Sequence, residues 1–370
     1  MKILVTGGMG FVGSHLVDAL VREGHAVRVF DSLEDQVHHG KKPDYLNKEA
    51  EYIVANVADR NKLKRAVKNI DIIFHEAAAV GVGQSMYKIS KYVEDNTFGT
   101  ANLLDILVNE KNKVRKLIVA SSMSIYGEGS YRCRKCGEAY PEFRSALQLK
   151  QKKWGMLCPH CNEEIKPSPT KENKQLFPTS IYAMSKRHQE EMCLLVGKTY
   201  NIPTVALRYF NVYGPRQSLS NPYTGVCAIF ASRIKNNHPP IVYEDGFQSR
   251  DFINVKDVVG ANLLVMKDKR ADYQYFNVGT GKPTTILEIA DLLIKLYKKD
   301  LQPEITNTYR KGDIRHCYAD NSKLTNLGFK LNVNFENGMK ELIEWQKQNK
   351  ADDKVALAQK ELHKKGLVVA

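Results

Sequence analysis

Along the first 120 residues, short apolar runs alternate with stretches of helical periodicity. Lys2-Ile3-Leu4-Val5-Thr6 reads as a short buried strand, and Ser14 to Glu23 repeats its apolar positions with a helical period. Ala26 to Phe30, Glu51 to Val54 and Asp71 to His75 read as further strands, with Asp59 to Lys68 a helix between them. A long helix is predicted from Tyr92 to Lys111, then a strand from Lys116 to Ala120. This strand–helix rhythm predicts an α/β fold, a doubly wound parallel sheet with its ligand beyond the carboxyl ends of the strands. Later, Pro178 to Tyr200 reads as a helix and Thr204 to Arg208 as a strand. Arg216 to about Phe247 leaves the sheet and opens a smaller lobe. Val255 to Met266 returns as a helix against the first lobe, while Tyr275 to Gly279 and the amphipathic run Ile286 to Leu296 continue the cap. Residues 349–370 are Lys-rich and periodic, an exposed helical tail by this reading.

The first strand runs into Gly7-Gly8-Met9-Gly10-Phe11-Val12-Gly13. Between a strand and a helix, such glycines permit a tight turn, a close approach of pyrophosphate to the backbone, and packing of helix on strand. The helix N-terminus adds donors and a favourable dipole. Asp31 ends the second strand, where a carboxylate accepts from an adenosine ribose and repels a 2′-phosphate, so NAD is favoured over NADP. The sheet is therefore expected to be of Rossmann type. Expected cofactor contacts are Gly7, Gly10, Phe11, Val12, Gly13, Asp31, Ser32, Asn56, Val57, Ala77, Ala78, Asn96 and Ser121, joined by Tyr182 and Lys186. The division expected is 1–212 with 250–277 for the dinucleotide, 130–168 for an insertion, 213–249 with 278–348 for substrate, and 349–370 for the tail.

Tyr182 and Lys186 lie four residues apart, so a helix stacks them on one face. A free phenol titrates near about 10 and is a poor base at neutral pH. A fixed ammonium nearby favours the phenolate. The spacing alone is common on solvent-facing helices; its neighbours give it meaning. Ser121-Ser122-Met123-Ser124-Ile125-Tyr126-Gly127 delivers hydroxyls to the same sheet edge. Leu207 to Arg216 reads LRYFNVYGPR, Asp245 to Asp251 reads DGFQSRD, and Arg310-Lys311-Gly312-Asp313 follows.

With these motifs the chain resembles the extended short-chain dehydrogenases/reductases of the nucleotide-sugar epimerase and dehydratase family, from residue 1 to about 345. The resemblance implies that Ser122 hydrogen-bonds the reacting oxygen, that Tyr182 is the base, and that Lys186 assists it and holds the nicotinamide ribose. It also implies that Asn211 binds a sugar diphosphate and that Arg250 and Arg310 grip its phosphates. Guanidinium forks suit phosphate oxygens. One departure matters. The family's dehydratases carry an acidic pair after the catalytic hydroxyl, where this chain has Met123 and Ser124. Elimination of water lacks its acid there, whereas 4-epimerisation needs only hydride removal, rotation of the keto sugar and hydride return. The expectation is an NAD-dependent nucleotide-sugar 4-epimerase. The alternatives are another NAD-dependent nucleotide-sugar enzyme (a UDP-sugar 4-epimerase, a reductase or a decarboxylase), or a dinucleotide-binding sensor that has lost turnover. The expected partner beyond the substrate is a second copy of the chain, as a homodimer.

Cys133-Arg134-Lys135-Cys136 and Cys158-Pro159-His160-Cys161 form two knuckles separated by 21 residues. Four thiolates at this spacing read as a closed, structural zinc site; a disulfide pair is the competing reading. His160 is expected to face solvent, and Cys193, Cys227 and Cys317 to be core thiols. A cysteine-bearing insertion just after Gly127-Glu128-Gly129, with Asn221 to Val226 later, is similar to the dTDP-L-rhamnose 4-epimerase branch of the family.

Composition narrows the classes further. With 370 residues and 43% hydrophobic content the chain can bury a large core. The net charge of +14 suits an anionic substrate. No helix carries an uninterrupted basic stripe and no aromatic RNA-binding signature occurs, so nucleic acid is not expected. The sequence offers no transmembrane run and no signal peptide, so a cytoplasmic location is expected.

Overall fold

The structure, a computed structural model, describes residues 1–38, 40–349 and 351–369. Its main sheet comprises β1 (Lys2–Thr6), β2 (Ala26–Asp31), β3 (Glu51–Val54), β4 (Ile72–His75), β5 (Lys116–Ser122), β6 (Thr204–Tyr209) and β7 (Gln274–Val278). These seven strands are parallel and lie in the order β7-β6-β5-β4-β1-β2-β3. The order reverses at β1, which pairs with β2 on one side and β4 on the other. The loops leaving β1 and β4 part there, opening the crevice expected of such a sheet.

The principal helices are α1 (Phe11–Arg22), α2 (Arg60–Val67), α3 (Gly99–Asn109), α4 (Ile181–Thr199), α5 (Val226–Lys235), α6 (Val255–Lys267), α7 (Ile286–Tyr297), α8 (Phe335–Gln348) and α9 (Val355–Lys364). Ile3, Val5, Phe74, Ile118 and Leu207 bury against α1 and α6. Leu4, Ile73, Leu117, Val119 and Ala206 bury on the opposite face against α2, α3 and α4. Cover on both faces is why these strands read as unbroken apolar runs. Cys193 belongs to this core, and Cys227 and Cys317 to smaller clusters, as expected of inert thiols.

The long helix expected over Tyr92 to Lys111 is interrupted. One α-turn, Ile89–Tyr92, leads into a π-helical stretch, Val93–Phe98, and only then into α3. Asn96 explains the wide turn. Its buried amide accepts from the Ala79 N–H at 2.7 Å and donates to the Ala79 carbonyl at 3.0 Å and to Ser185 Oγ at 2.8 Å. Such widened turns occur often at functional sites.

Tyr275 to Gly279 does not continue the cap. Gln274–Val278 pairs with β6 and forms the edge of the main sheet. The smaller lobe is built from α5, α7 and α8, packed through Phe230, Ile234, Leu293, Met339 and Leu342. Thr285 and Glu288 cap α7 reciprocally. A small sheet of Asn211–Tyr213, Ser249–Asn254, Pro283–Thr285 and His316–Cys317 joins this lobe to the cavity wall.

The chain beyond 349 is not an exposed tail, although Lys350 and Ala370 lie outside the described residues. Ala351, Ala358, Leu362 and Val368 are buried, and Val368–Val369 pairs antiparallel with Tyr309–Arg310. The periodicity signalled a helix, but its apolar stripe faces protein. No helix among the described residues is long and apolar enough to cross a membrane.

Candidate active site and cysteine cluster

The carboxyl edge of the sheet opens into a cavity of about 650 Å3. Gly7, Gly10, Phe11, Val12 and Gly13 line one end, with Asp31, Ser32, Asn56, Val57, Ala77, Ala78 and Ser121 around them. Gly7 has φ of 70°, and a Cβ there would lie 2.8 Å from the Ala77 nitrogen. A side chain at Gly13 would collide with the Gly7 carbonyl. The loop is thus closed on itself, with the first turn of α1 starting at Phe11, earlier than the periodicity indicated. Asp31 accepts from the N–H groups of Met9 and Leu33, both at 2.9 Å, which ties the glycine turn to β2 and fixes the carboxylate. Each carboxylate oxygen retains a lone pair for ribose hydroxyls. Ser121 Oγ is buried on the cavity wall without a partner in the protein. This donor set fits a dinucleotide. Asn56 lines the cavity, but its amide donates to Asp95 at 2.7 Å and it orders Ala58. Asn96 is fully buried and does not line the cavity; it clamps the Ala79 loop to α4 instead.

Ser180 caps α4 by accepting from the Ala183 N–H at 3.1 Å, so the helix starts where Tyr182 must face the cavity. Ser122 ends β5 opposite it, and its Oγ accepts from the Ser124 hydroxyl at 2.8 Å. Burial raises the Tyr182 phenol, and the hydrogen bond with Ser122 partly opposes this. The sequence led us to expect the Lys186 ammonium to lower it. That ammonium instead donates to Gln189 Oε1 at 2.7 Å, and burial dominates at the phenol. Lys186 itself is lowered to about 8 by burial, with Glu76 countering.

Below Lys186 lies a polar network that sequence reasoning did not identify. Gln189 Nε2 donates to Thr100 Oγ1 at 2.8 Å, and His75 joins Thr6 at 2.8 Å to Thr100 at 2.9 Å. Burial drives His75 down to about 3, so its ring is neutral. Glu76, also missed, lines the cavity and accepts from the Tyr209 hydroxyl at 2.8 Å. Burial raises its carboxyl to about 7. Its only sequence signal was its place at the end of a strand.

The other end of the cavity is cationic. Arg250 and Arg310 both line it and share Asp313: Arg250 Nη2 lies 3.2 Å from Oδ1, and Arg310 Nη2 2.6 Å from Oδ2. Burial pushes the Asp313 carboxyl upward, but Arg310 and Arg250 outweigh it and hold it below the usual range. Arg310 also stacks on Tyr243 at 5.0 Å. Two guanidiniums against one carboxylate leave a net positive site; Arg250 commits its Nη groups to Asp313 and the carbonyls of Ser249, Ile314 and Arg315, while Arg310 meets Asp313 through Nε and Nη2. Asn211 lies on the wall with its Oδ1 buried and unpartnered.

In the insertion, Ser130–Cys133, Gly137–Ala139 and Lys166–Ser168 form a three-stranded antiparallel sheet. The sulfurs of Cys133, Cys136, Cys158 and Cys161 lie within 4.8 Å of one another, and none is in a disulfide. A tetrahedral ion with bonds of about 2.3 Å separates its sulfurs by about 3.8 Å, so the cluster fits one. The His160 and Cys161 N–H groups lower the Cys158 thiol, while the neighbouring sulfurs raise Cys136. His160 is exposed and outside the cluster. Arg144, in the same insertion, makes a buried bidentate pair with Glu244 at 2.8 Å, welding the insertion to the smaller lobe.

Comparison with known proteins places this geometry. A dTDP-L-rhamnose 4-epimerase of Burkholderia thailandensis is 33% identical over 352 residues, covering 93% of this chain and 94% of that protein. The crystal structure of a Thermotoga maritima UDP-glucose 4-epimerase with UDP-glucose superposes with a TM-score of 0.77 at 31% identity, covering 94% of this chain and 99% of the other. A Bacillus cereus UDP-glucuronic acid 4-epimerase, in complex with UDP-glucuronic acid and NAD, gives 0.78 at 26% identity with coverage of 94% and 99%. The profile of the NAD dependent epimerase/dehydratase family matches residues 3–145 and 158–279, breaking off only within the insertion, and the chain belongs to that family.

Proposed function

We propose that this enzyme is an NAD-dependent nucleotide-sugar 4-epimerase, with a dTDP-linked deoxyhexose such as dTDP-L-rhamnose as its substrate. The observation carrying this reading is one cavity that unites Ser122, Tyr182 and Lys186 with Asn211, Arg250 and Arg310 while Met123 and Ser124 stand where a dehydratase has acids. The 33% identity to a dTDP-L-rhamnose 4-epimerase supports the choice of sugar. NAD, when bound, supplies the hydride acceptor and a positive ring that favours the phenolate. Tyr182 takes the proton from the sugar 4-hydroxyl and later returns one, while Ser122 orients the same oxygen. Lys186 holds the ribose and stabilises the phenolate. Asn211, Arg250 and Arg310 keep the diphosphate fixed while the keto sugar turns its other face to the cofactor. Incubation with dTDP-L-rhamnose, UDP-glucose and UDP-glucuronic acid, with products read by NMR, tests the assignment. Inversion at carbon 4 of the dTDP sugar supports it, and turnover of the UDP sugars alone contradicts the choice of nucleotide.

The Tyr182→Phe variant should fold and bind NAD but lose roughly two to four orders of magnitude in turnover, the scale of general acid–base catalysis. Near-native activity in that variant would overturn the role given to Tyr182.

The alkaline limb of activity should reflect Lys186. Its folded-state value of about 8 means that the ammonium is present below that pH and lost above it. The Glu76 carboxylate raises Lys186, so Glu76→Gln should move the limb to lower pH. An unmoved or raised limb speaks against this coupling.

We assign zinc to the four cysteines. Four thiolates close the coordination shell, so its role is structural. Metal analysis of protein purified without added metal should find one zinc ion per chain, and Cys133→Ser with Cys158→Ser should release it while some turnover survives. Native protein free of metal would exclude the assignment.

A further inference from the structure

The chain after α8 closes one side of the cavity. Its start is anchored on the smaller lobe: Asp353 pairs with Arg233 at 3.1 Å, and the Asp352 N–H donates to Ser220 Oγ at 2.9 Å. Helix α9 then presents Val355, Ala358, Gln359 and Leu362 to the cavity. Glu361, on its outer side, accepts from the Tyr223 hydroxyl at 3.2 Å, and Tyr223 in turn accepts from Tyr87 at 2.7 Å. Leu362 lies against Gly83, where an added Cβ would be 3.4 Å away. The segment therefore touches the loop that follows β4 and the Tyr223 loop of the smaller lobe.

Its far end meets the cationic site. Val368 pairs with Arg310 and Val369 with Tyr309, while the Leu367 carbonyl accepts from the Lys311 N–H at 2.9 Å. Gln359 Nε2 donates to the Tyr243 hydroxyl at 3.2 Å, and Tyr243 is the ring beneath the Arg310 guanidinium. The strand that carries Arg310 has no other partner among the described strands. An ordinary terminal helix would cover the core of one lobe; this one spans three cavity-lining segments and pairs with the backbone of a cavity arginine.

We propose that residues 351–369 form a wall of the nucleoside-diphosphate site, with Gln359 a positioning residue that holds Arg310 through Tyr243. The inference rests on the nucleotide-sugar reading above. The segment backs Arg310 from behind through its strand and from the side through Gln359. It keeps the diphosphate handle in place while the sugar turns.

The test uses the NAD-bound protein, UDP and dTDP as probes, and calorimetry. Removing residues 354–370 should weaken binding of the nucleoside diphosphate at least about tenfold, with NAD content retained. Because the truncation removes buried residues, Gln359→Leu provides the second arm: it fills the same space and removes the donor to Tyr243, and should weaken binding several-fold. Trypsin adds a readout that a purely structural cover would not move. Lys360, Lys364 and Lys365 are exposed, and cleavage there should slow when UDP or dTDP is added. If the intact chain binds neither nucleotide, the nucleotide-sugar reading fails and this inference with it. If the intact chain binds and Gln359→Leu binds equally well, with cleavage unaffected by nucleotide, the inference alone is overturned.

Discussion

A lysine ammonium buried beneath an active site must be held by neutral dipoles or a nearby carboxylate, and here both are present. Lys186 donates to Gln189, Gln189 to Thr100, and Thr100 and Thr6 bracket the neutral His75. These residues come from α4, α3, β4 and β1, so one chain of hydrogen bonds locks α4 to the strands at which the sheet order reverses. A buried network is worth having only when each member is satisfied. The same helix is pinned further along by the buried pair of Glu190 with Arg208, whose Nη1 also donates to Tyr126 at 2.7 Å. Tyr182 stands in register with Ser122 because both ends of this arrangement are fixed.

The opposite end of the cavity is organised by charge. Asp313 holds Arg250 and Arg310 at a common point, so two cations that would repel are kept side by side. Substrate phosphates would then meet guanidiniums whose geometry is already set, which lowers the ordering cost of binding. The cysteine insertion braces the same region, since Arg144 also approaches the Asp313 carbonyl at 3.5 Å while pairing with Glu244. The cavity thus has hydroxyls of Ser122 and Tyr182 held at one end and the guanidiniums of Arg250 and Arg310 held at the other.

Much of this was legible in the chain itself. Strands buried on both faces leave unbroken apolar runs, and the glycine turn needs residues without Cβ atoms, so β1 to β5 and the dinucleotide end were readable. The cysteine knuckles were readable because their spacing is short and local. What escaped depends on long-range contact. Asn96 is expected among the cofactor contacts, yet only the fold reveals that its amide is engaged with Ala79 and Ser185. Periodicity alone could not distinguish the solvent-facing stripe expected after residue 349 from one that covers a cavity. Tyr275 to Gly279 was assigned to the cap because its partner strand, β6, lies far away in sequence. Glu76 and Gln189 carry no motif, and their importance arises from burial.

In the proposed reaction hydride leaves and returns at one sugar carbon, between Tyr182 and the cofactor, without exchange with water. Mass spectrometry of the product formed in heavy water measures this directly. Inversion at carbon 4 with no carbon-bound deuterium is the expected result. Deuterium on sugar carbon, or stoichiometric build-up of NADH with a 4-keto sugar, would contradict it.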